Sequence, residues 1–525
     1  MRLSRRGFLA ATGSALASAQ VALRARDASA RGALDSDSAL ERLVQQTLDA
    51  ARKAGASYAD VRVVRRLDES LSTREAHVTS ASSSESYGLG VRVIAGGAWG
   101  FAATSRVLPV DAVAVATRAV AMARAASHAV ERKATLAPEP PHVGAWRTPL
   151  EVDPFKVGID EKAAFLLALD AEALRVPGVK FCESSFHAVR EWKLVASTDG
   201  AWVEQELTRV RPSFSATAVD ATTGDFAERE HDIPALQAGW EHVTRSTLLA
   251  DARRTGEEAV EKLRAPSVTP RRCDLILAPS NLWLTIHESV GHPTELDRAL
   301  GYEANYAGTS FATVDKLGKL EYAAPAVTLF ADKTTPGGLA TCAWDDDGVA
   351  TSRWNLVERG RFVGYQTTRE QAGWIGEARS RGTSYAQDYK SFPFQRMPNV
   401  SLEPAPGDRG LKEIVAATDD GIVVVGRGSW SIDHQRHNFQ FGGQLFYEVK
   451  RGKITSALRD VAYQSNSVEF WRSCDLIGGA REVELHGSFY DGKGEPGQVN
   501  AVSHGCPPAR FRGVNILATD TRRGG

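Results

Sequence analysis

The chain has 525 residues, of which 43% are hydrophobic and 24% charged, ordinary values for a globular protein with a substantial core; at roughly 100–200 residues per domain there is room for two to four domains. Its 63 basic and 64 acidic residues leave a net charge of -1, which argues against nucleic acid or an anionic membrane as the main partner. The five cysteines are odd in number and include no CxxC spacing, which argues against a disulfide framework.

Residues 1–30 read as an export signal. Arg5 and Arg6 precede Gly7-Phe8-Leu9 and a weakly apolar, alanine-rich run to Ala19, the pattern of a twin-arginine signal. This predicts a periplasmic or otherwise exported protein, cleaved after Ala19 or Ala30. The run is shorter than the ~20 apolar residues of a permanent span, and no later stretch is long and apolar enough, so no permanent membrane span is expected.

Residues 36–54 predict an amphipathic helix, with Leu40, Leu43, Val44, Leu48 and Ala51 at 3–4 spacing. Alternating segments at 58–65, 70–80 and 85–94 predict strands, and Ala95-Gly96-Gly97 a hairpin into a strand at 98–103. A second helix is expected over 110–130, and the proline-containing stretch 137–154 reads as a surface loop. Helix 161–174, strands near 179–189, 191–197 and 210–219, and helix 248–263 follow, with Asp199-Gly200 as a tight turn. The expected fold class is therefore α+β. An N-terminal α/β domain with a curved antiparallel sheet covers 35–265. Beyond a boundary at Pro266–Pro270, a β-rich C-terminal domain covers 268–525, with short strands at 273–277, 326–330, 354–358, 361–367, 400–403, 421–426 and 445–450 and one short helix around His287.

That helix carries Leu284-Thr285-Ile286-His287-Glu288-Ser289-Val290-Gly291-His292-Pro293-Thr294-Glu295. Two imidazoles and a carboxylate are what a metal-dependent hydrolase needs. The imidazoles hold the ion, the ion polarises the carbonyl and acidifies a water, and the carboxylate moves protons. The spacing is HExxxH. Five residues turn an α-helix by roughly 500°, ~140° out of register, against ~400° for four. A regular helix would not aim both imidazoles at one ion, so a locally widened turn is expected, eased by Gly291 and ended by Pro293. Read without its flanks, the pattern fits an exposed polar helix as well as a metal site.

With its flanks, the stretch resembles the TldD/PmbA family of metalloproteases. The resemblance rests on His287-Glu288-Ser289-Val290-Gly291-His292 with Glu295, on Asp345-Asp346-Asp347-Gly348, and on Leu356-Val357-Glu358-Arg359-Gly360 with Arg369. Arg396-Met397-Pro398-Asn399-Val400, Gly492-Lys493-Gly494 and Val502-Ser503-His504-Gly505-Cys506-Pro507 continue it, as do Gly90-Val91-Arg92 and Gly97-Ala98-Trp99-Gly100-Phe101-Ala102 near the N-terminus. It covers about residues 38–520. It implies zinc as cofactor, His287 and His292 as ligands, Glu288 as general acid/base, and the catalytic, TldD-like type. It also implies a homo- or heterodimer, the latter with a PmbA-like subunit, that hydrolyses small or unfolded peptides with broad sequence specificity. A β-rich wall beside the zinc helix suits this, since an extended peptide can be held by strand addition. The alternative is a non-catalytic partner subunit or peptide-binding chaperone of the same fold.

The third ligand departs from the family pattern, whose cysteine before Gly-Lys-Gly is Asp491 here. Cys506 is the expected ligand because a thiolate suits zinc well, and Asp491 is the alternative that family geometry favours; a buried loop cysteine with water completing the site stays open. Asp345-Asp346-Asp347-Gly348 lacks the alternating spacing of a calcium loop and reads as a structural acidic turn. Residues 432–437 either enter the cleft and bind substrate carbonyls or carboxylates, or form a solvated loop. Ser503 and His504 are no nucleophile pair, because adjacent strand residues point to opposite faces.

Overall fold

The computed structural model describes residues 38–519. Arg5, Arg6 and both candidate cleavage sites lie outside the described residues. Leu43, Val44, Leu48 and Ala51 bury one face of helix α1 (Ser38–Lys53). They pack against Val61 and Val63 of β1 (Tyr58–Arg74) and Val91 and Val93 of β2 (His77–Ala95). Where three short strands were expected over 58–94, these are two long ones. The turn between them uses Glu75 and Ala76 at φ 49° and 60°, residues that carry no turn signal in sequence. Hairpin Gly96-Gly97 leads to β3 (Ala98–Thr104), and α2 (Pro109–Ala126) lies on the same core.

The expected loop 137–154 contains a strand, β4 (Val143–Arg147). Helix α3 (Ile159–Leu174), strands β5 (Val179–Ser197), β6 (Trp202–Val219) and β7 (Phe226–Glu230), and helix α4 (Leu248–Arg264) follow. The sheet runs β3-β2-β1-β5-β6-β4, with β7 beside β6. It is antiparallel except for β4 against β6. Leu166 and Leu169 of α3 and Ala252 of α4 cover Phe186 and Phe214.

Alternation gives this sheet a second face of a different kind. Asp60 and Arg62 interleave with Val61 and Val63, yet both are buried. Arg92 Nη2 meets Asp347 at 2.5 Å and Lys193 Nζ meets Asp346 at 3.2 Å. The acidic turn 345–348 is therefore structural: its carboxylates answer buried cations of the N-terminal sheet.

In the C-terminal region five strands close on themselves. β8 (Arg271–Leu277) runs parallel to β12 (Asp420–Ile432) and antiparallel to β19 (Ala509–Ala518). β19 pairs β15 (Val461–Asn466), β15 pairs β13 (Asn438–Lys450), and β13 returns to β12. β14 (Lys453–Leu458) and β16 (Cys474–Ile477) flank this ring. A smaller sheet joins β9 (Leu329–Asp332), β10 (Arg353–Glu358) and β11 (Asn399–Leu402). Two further pairs are antiparallel, the short Ser384–Tyr385 with Phe394–Gln395 and the longer β17 (Glu484–Lys493) with β18 (Gln498–Cys506). Helix α5 (Pro279–Ile286) leaves β8 with proline in its first turn, where the missing N–H is no loss. Asn281 Nδ2 donates to the carbonyls of Gly426 at 2.8 Å and Gly442 at 2.9 Å, fixing α5 to β12 and β13. Among the described residues no helix is long and apolar enough to cross a membrane.

Candidate metal centre and active-site cleft

After Ile286 the helix widens into a π turn over His287–Gly291. The His292 N–H bonds to the His287 carbonyl, five residues back. This is the widening that the HExxxH spacing requires, and it brings the two imidazoles to 4.6 Å between ring centroids. Gly291 serves a different end from the one expected. Its backbone is ordinary right-handed helix, φ -55°, so no special freedom is used. A Cβ there would stand 2.6 Å from Met397 Sδ; the glycine makes room for a buried methionine.

Asp491, near the end of β17, faces the helix. Its Oδ1 lies 3.5 Å from His287 Nε2 and 3.7 Å from His292 Nε2. Ligands on one tetrahedral ion at ~2.0–2.1 Å would stand roughly 3.4 Å apart, so both distances from Asp491 suit a metal site, and the three residues offer ligand atoms within 4.8 Å of one another. Cys506, the expected ligand, is not part of it. Its thiol donates to the Pro279 carbonyl at 3.7 Å, at the start of α5, about 12 Å of helical rise from His287. Burial, with Glu484 nearby, raises its pKa well above the usual thiol value, so the thiolate a metal needs is disfavoured there.

Each candidate ligand is held by a second residue. His504 Nδ1 lies 2.8 Å from the Val400 carbonyl, which can only accept, so this nitrogen carries the proton. His504 Nε2 is then the acceptor of a hydrogen bond donated by His287 Nδ1–H at 2.9 Å. His287 Nε2 then faces the Asp491 carboxylate at 3.5 Å; burial opposes a charge on this imidazole, but Asp491 raises its pKa above the ordinary value, so this is a place for a proton or a metal ion between the two. On the other side His292 Nδ1 lies 3.1 Å from Glu295 Oε2, which also accepts from Arg298 Nε at 2.9 Å. Burial opposes the charge of Glu295, but Lys493 and Arg298 hold its pKa well below the ordinary range. Arg396 Nη2 reaches Asp491 Oδ2 at 3.2 Å. Burial, reinforced by Arg436, pushes His292 down to about 4, leaving a neutral imidazole at neutral pH.

Glu288 points into a cleft of about 390 Å³ lined also by His287, His292, Asp491 and β17 residues 486–492. Its Oε2 accepts from Arg436 Nη1. Arg436 belongs to the loop between β12 and β13, which therefore enters the cleft and is not simply a solvated loop. β17 pairs with β18 on one edge and with no other strand among the described residues, and its residues 486–492 line the cleft. His504, Arg396 and Lys493 had no individual role in the sequence reading. Their only signal was position within short stretches shared with a family.

Residues 270–518 match the PmbA/TldA metallopeptidase C-terminal domain, 59–127 match domain 1 of that family and 152–265 its central domain. The chain is 27% identical over 464 residues to a metalloprotease of Methanothermobacter thermautotrophicus, covering 88% of this chain and 96% of that one. It is 21% identical over 486 residues to the zinc metalloprotease TldD homolog of Saccharolobus solfataricus, covering 89% and 98%. The crystal structure of TldE from Thermococcus kodakarensis superposes with a TM-score of 0.68 at 18% identity, over 90% of this chain and 100% of that one; this likeness concerns the fold alone.

Proposed function

This chain belongs to the PmbA/TldD metallopeptidase family, and from that premise we propose that it is a catalytic, TldD-like zinc peptidase acting on small or unfolded peptides with broad sequence specificity. The observation that carries the reading is the convergence of His287 Nε2, His292 Nε2 and Asp491 Oδ1 beside Glu288, a carboxylate outside that group, in one cleft. Two imidazoles and a carboxylate are a donor set that zinc accepts, with a position left for water or substrate. With its Nδ1–H held by His504, His287 would turn Nε2 to the same ion. When bound, the metal would polarise the scissile carbonyl and acidify a water. Glu288 takes the proton of the attacking water and returns it to the leaving amine. The open edge of β17 offers backbone donors and acceptors to an extended peptide, a mode that reads little sequence. A non-catalytic partner subunit would have no use for Glu288 beside the three candidate ligands. Export by the twin-arginine route, resting on Arg5 and Arg6, and a homodimer or a heterodimer with a PmbA-like subunit, resting on family resemblance, complete the proposal. The test is metal analysis of the purified chain together with cleavage of an unfolded protein, with and without chelator. Cleavage that needs stoichiometric zinc supports the reading; a chain that takes up no metal refutes it.

A further inference from the structure

Arg436 is the one cation paired with Glu288 among the described residues. Its side chain is 13% exposed and lines the cleft. The guanidinium makes a single hydrogen bond to the described protein, that to Glu288, and its Nε is buried without a partner. An arginine built only to brace a fold would spend more of its five donors on protein acceptors. Arg298 and Arg396 nearby each contact carbonyl oxygens as well as a carboxylate.

The backbone is committed to this aim. Arg436 has φ 60°, a conformation that a residue with a side chain adopts only when its surroundings impose it. They do so from both sides. Thr309 N–H donates to the His434 carbonyl at 2.7 Å and Phe311 N–H to that of Gln435 at 2.8 Å. Ser467 Oγ donates to the Arg436 carbonyl at 2.8 Å, and the Asp433 carboxylate accepts from His437 N–H at 2.8 Å. A Cβ on Gly308 would stand 2.1 Å from the His434 oxygen, so the seat of the loop depends on a glycine.

We propose that Arg436 is a further catalytic residue, the donor that stabilises the oxyanion of the scissile carbonyl. The inference rests on the peptidase reading above. In the resting site the guanidinium answers the carboxylate of Glu288. When water adds to the carbonyl, its oxygen bonds to the carbonyl carbon and its proton passes to Glu288. The electron pair of the C=O bond moves onto the carbonyl oxygen. Negative charge thus leaves Glu288 and appears on an oxygen that must lie close to both. The arginine, held in place by its loop, changes partner without moving far. On collapse the oxygen pair re-forms the carbonyl, the C–N bond breaks, and the amine leaves with the proton from Glu288. A donor that meets charge only as it develops lowers the barrier without tightening ground-state binding.

The experiment compares wild type, Arg436→Ala and Arg436→Lys, each checked for zinc content and thermal melting. Each is given an unfolded peptide substrate and a phosphinic pseudopeptide, whose charged tetrahedral group mimics the oxyanion. The expected result for Arg436→Ala is a kcat lower by about 10²–10³-fold with KM changed little. The affinity for the phosphinic pseudopeptide should fall by a similar factor, zinc content should be unchanged, and lysine should restore part of both losses. Unchanged kcat and phosphinic affinity in Arg436→Ala would overturn the role, as would a loss confined to KM. If zinc-loaded wild type neither cleaves the peptide nor binds the pseudopeptide, the peptidase reading itself fails and this one with it.

Discussion

His287 and His504 stand edge to face, with 2.9 Å between Nδ1 of the first and Nε2 of the second. Because His504 must donate from Nδ1 to the Val400 carbonyl, the direction of the whole chain is set. His504 lies on β18, the partner of the strand that carries Asp491, so one residue ties together the two elements that carry the candidate ligands. Replacing His504 by leucine removes the acceptor, and zinc affinity, measured by competition with a chelator, should fall about 10–100-fold. Glutamine can accept through its side-chain oxygen and should lose less. Equal affinity in wild type and the leucine variant would refute the positioning role.

Asp491 and Cys506 separate cleanly in a metal-retention assay. Asp491→Asn should lose zinc on dialysis, since a neutral amide oxygen replaces the carboxylate that faces both imidazoles. Cys506→Ser should keep zinc and pay in stability instead: a hydroxyl in the fully buried site of Cys506 costs roughly 1–3 kcal/mol. Zinc loss in the serine variant alone would reverse the assignment.

Glu191 predicts an acid limit to stability. Burial opposes its charge, but Arg209, Lys193 and Arg66 overcome that penalty and hold its pKa at about 2. A depressed carboxylate contributes stability above its unfolded value, near 4.5, and loses it as pH falls through about 2. The size is roughly 3 kcal/mol. Glu191→Gln leaves these cations without their shared anion and should cost about 3–5 kcal/mol at pH 6. Denaturant midpoints from pH 6 to 2 should show the gap between wild type and variant narrowing toward acid. A constant gap would contradict the account.

The proposed export rests on Arg5 and Arg6. Replacing both by lysine should leave the unprocessed chain in the cytoplasm, read by fractionation and mass. Normal processing of that variant would remove the twin-arginine assignment.

The fold was legible where periodicity acts locally. Leu43, Val44, Leu48 and Ala51 announce α1, and Gly96-Gly97 announces its hairpin. The Glu75-Ala76 turn was not legible, because left-handed backbone there is imposed by the long pairing of β1 with β2 and not by glycine or asparagine. At the site, His287, Glu288 and His292 are close in sequence, and their spacing called for the widened turn that is present. The third partner comes from about 200 residues away, and which residue of β17 or β18 faces the helix depends on tertiary register. Softness of the thiolate favoured Cys506 on chemical grounds; the depth at which each strand residue meets α5 favours Asp491. The ionic face of the N-terminal sheet was hidden for a related reason. Asp60, Arg62 and Arg92 look like solvent-facing positions of an alternating strand until Asp346 and Asp347 are placed against them.

The central claim is that Glu288 moves protons while His287, His292 and Asp491 hold the metal. The direct measurement is zinc content and peptide hydrolysis of Glu288→Gln side by side with wild type. The account predicts one equivalent of zinc retained and turnover lowered by at least about 10²-fold. Near-normal turnover by the zinc-loaded variant would contradict it.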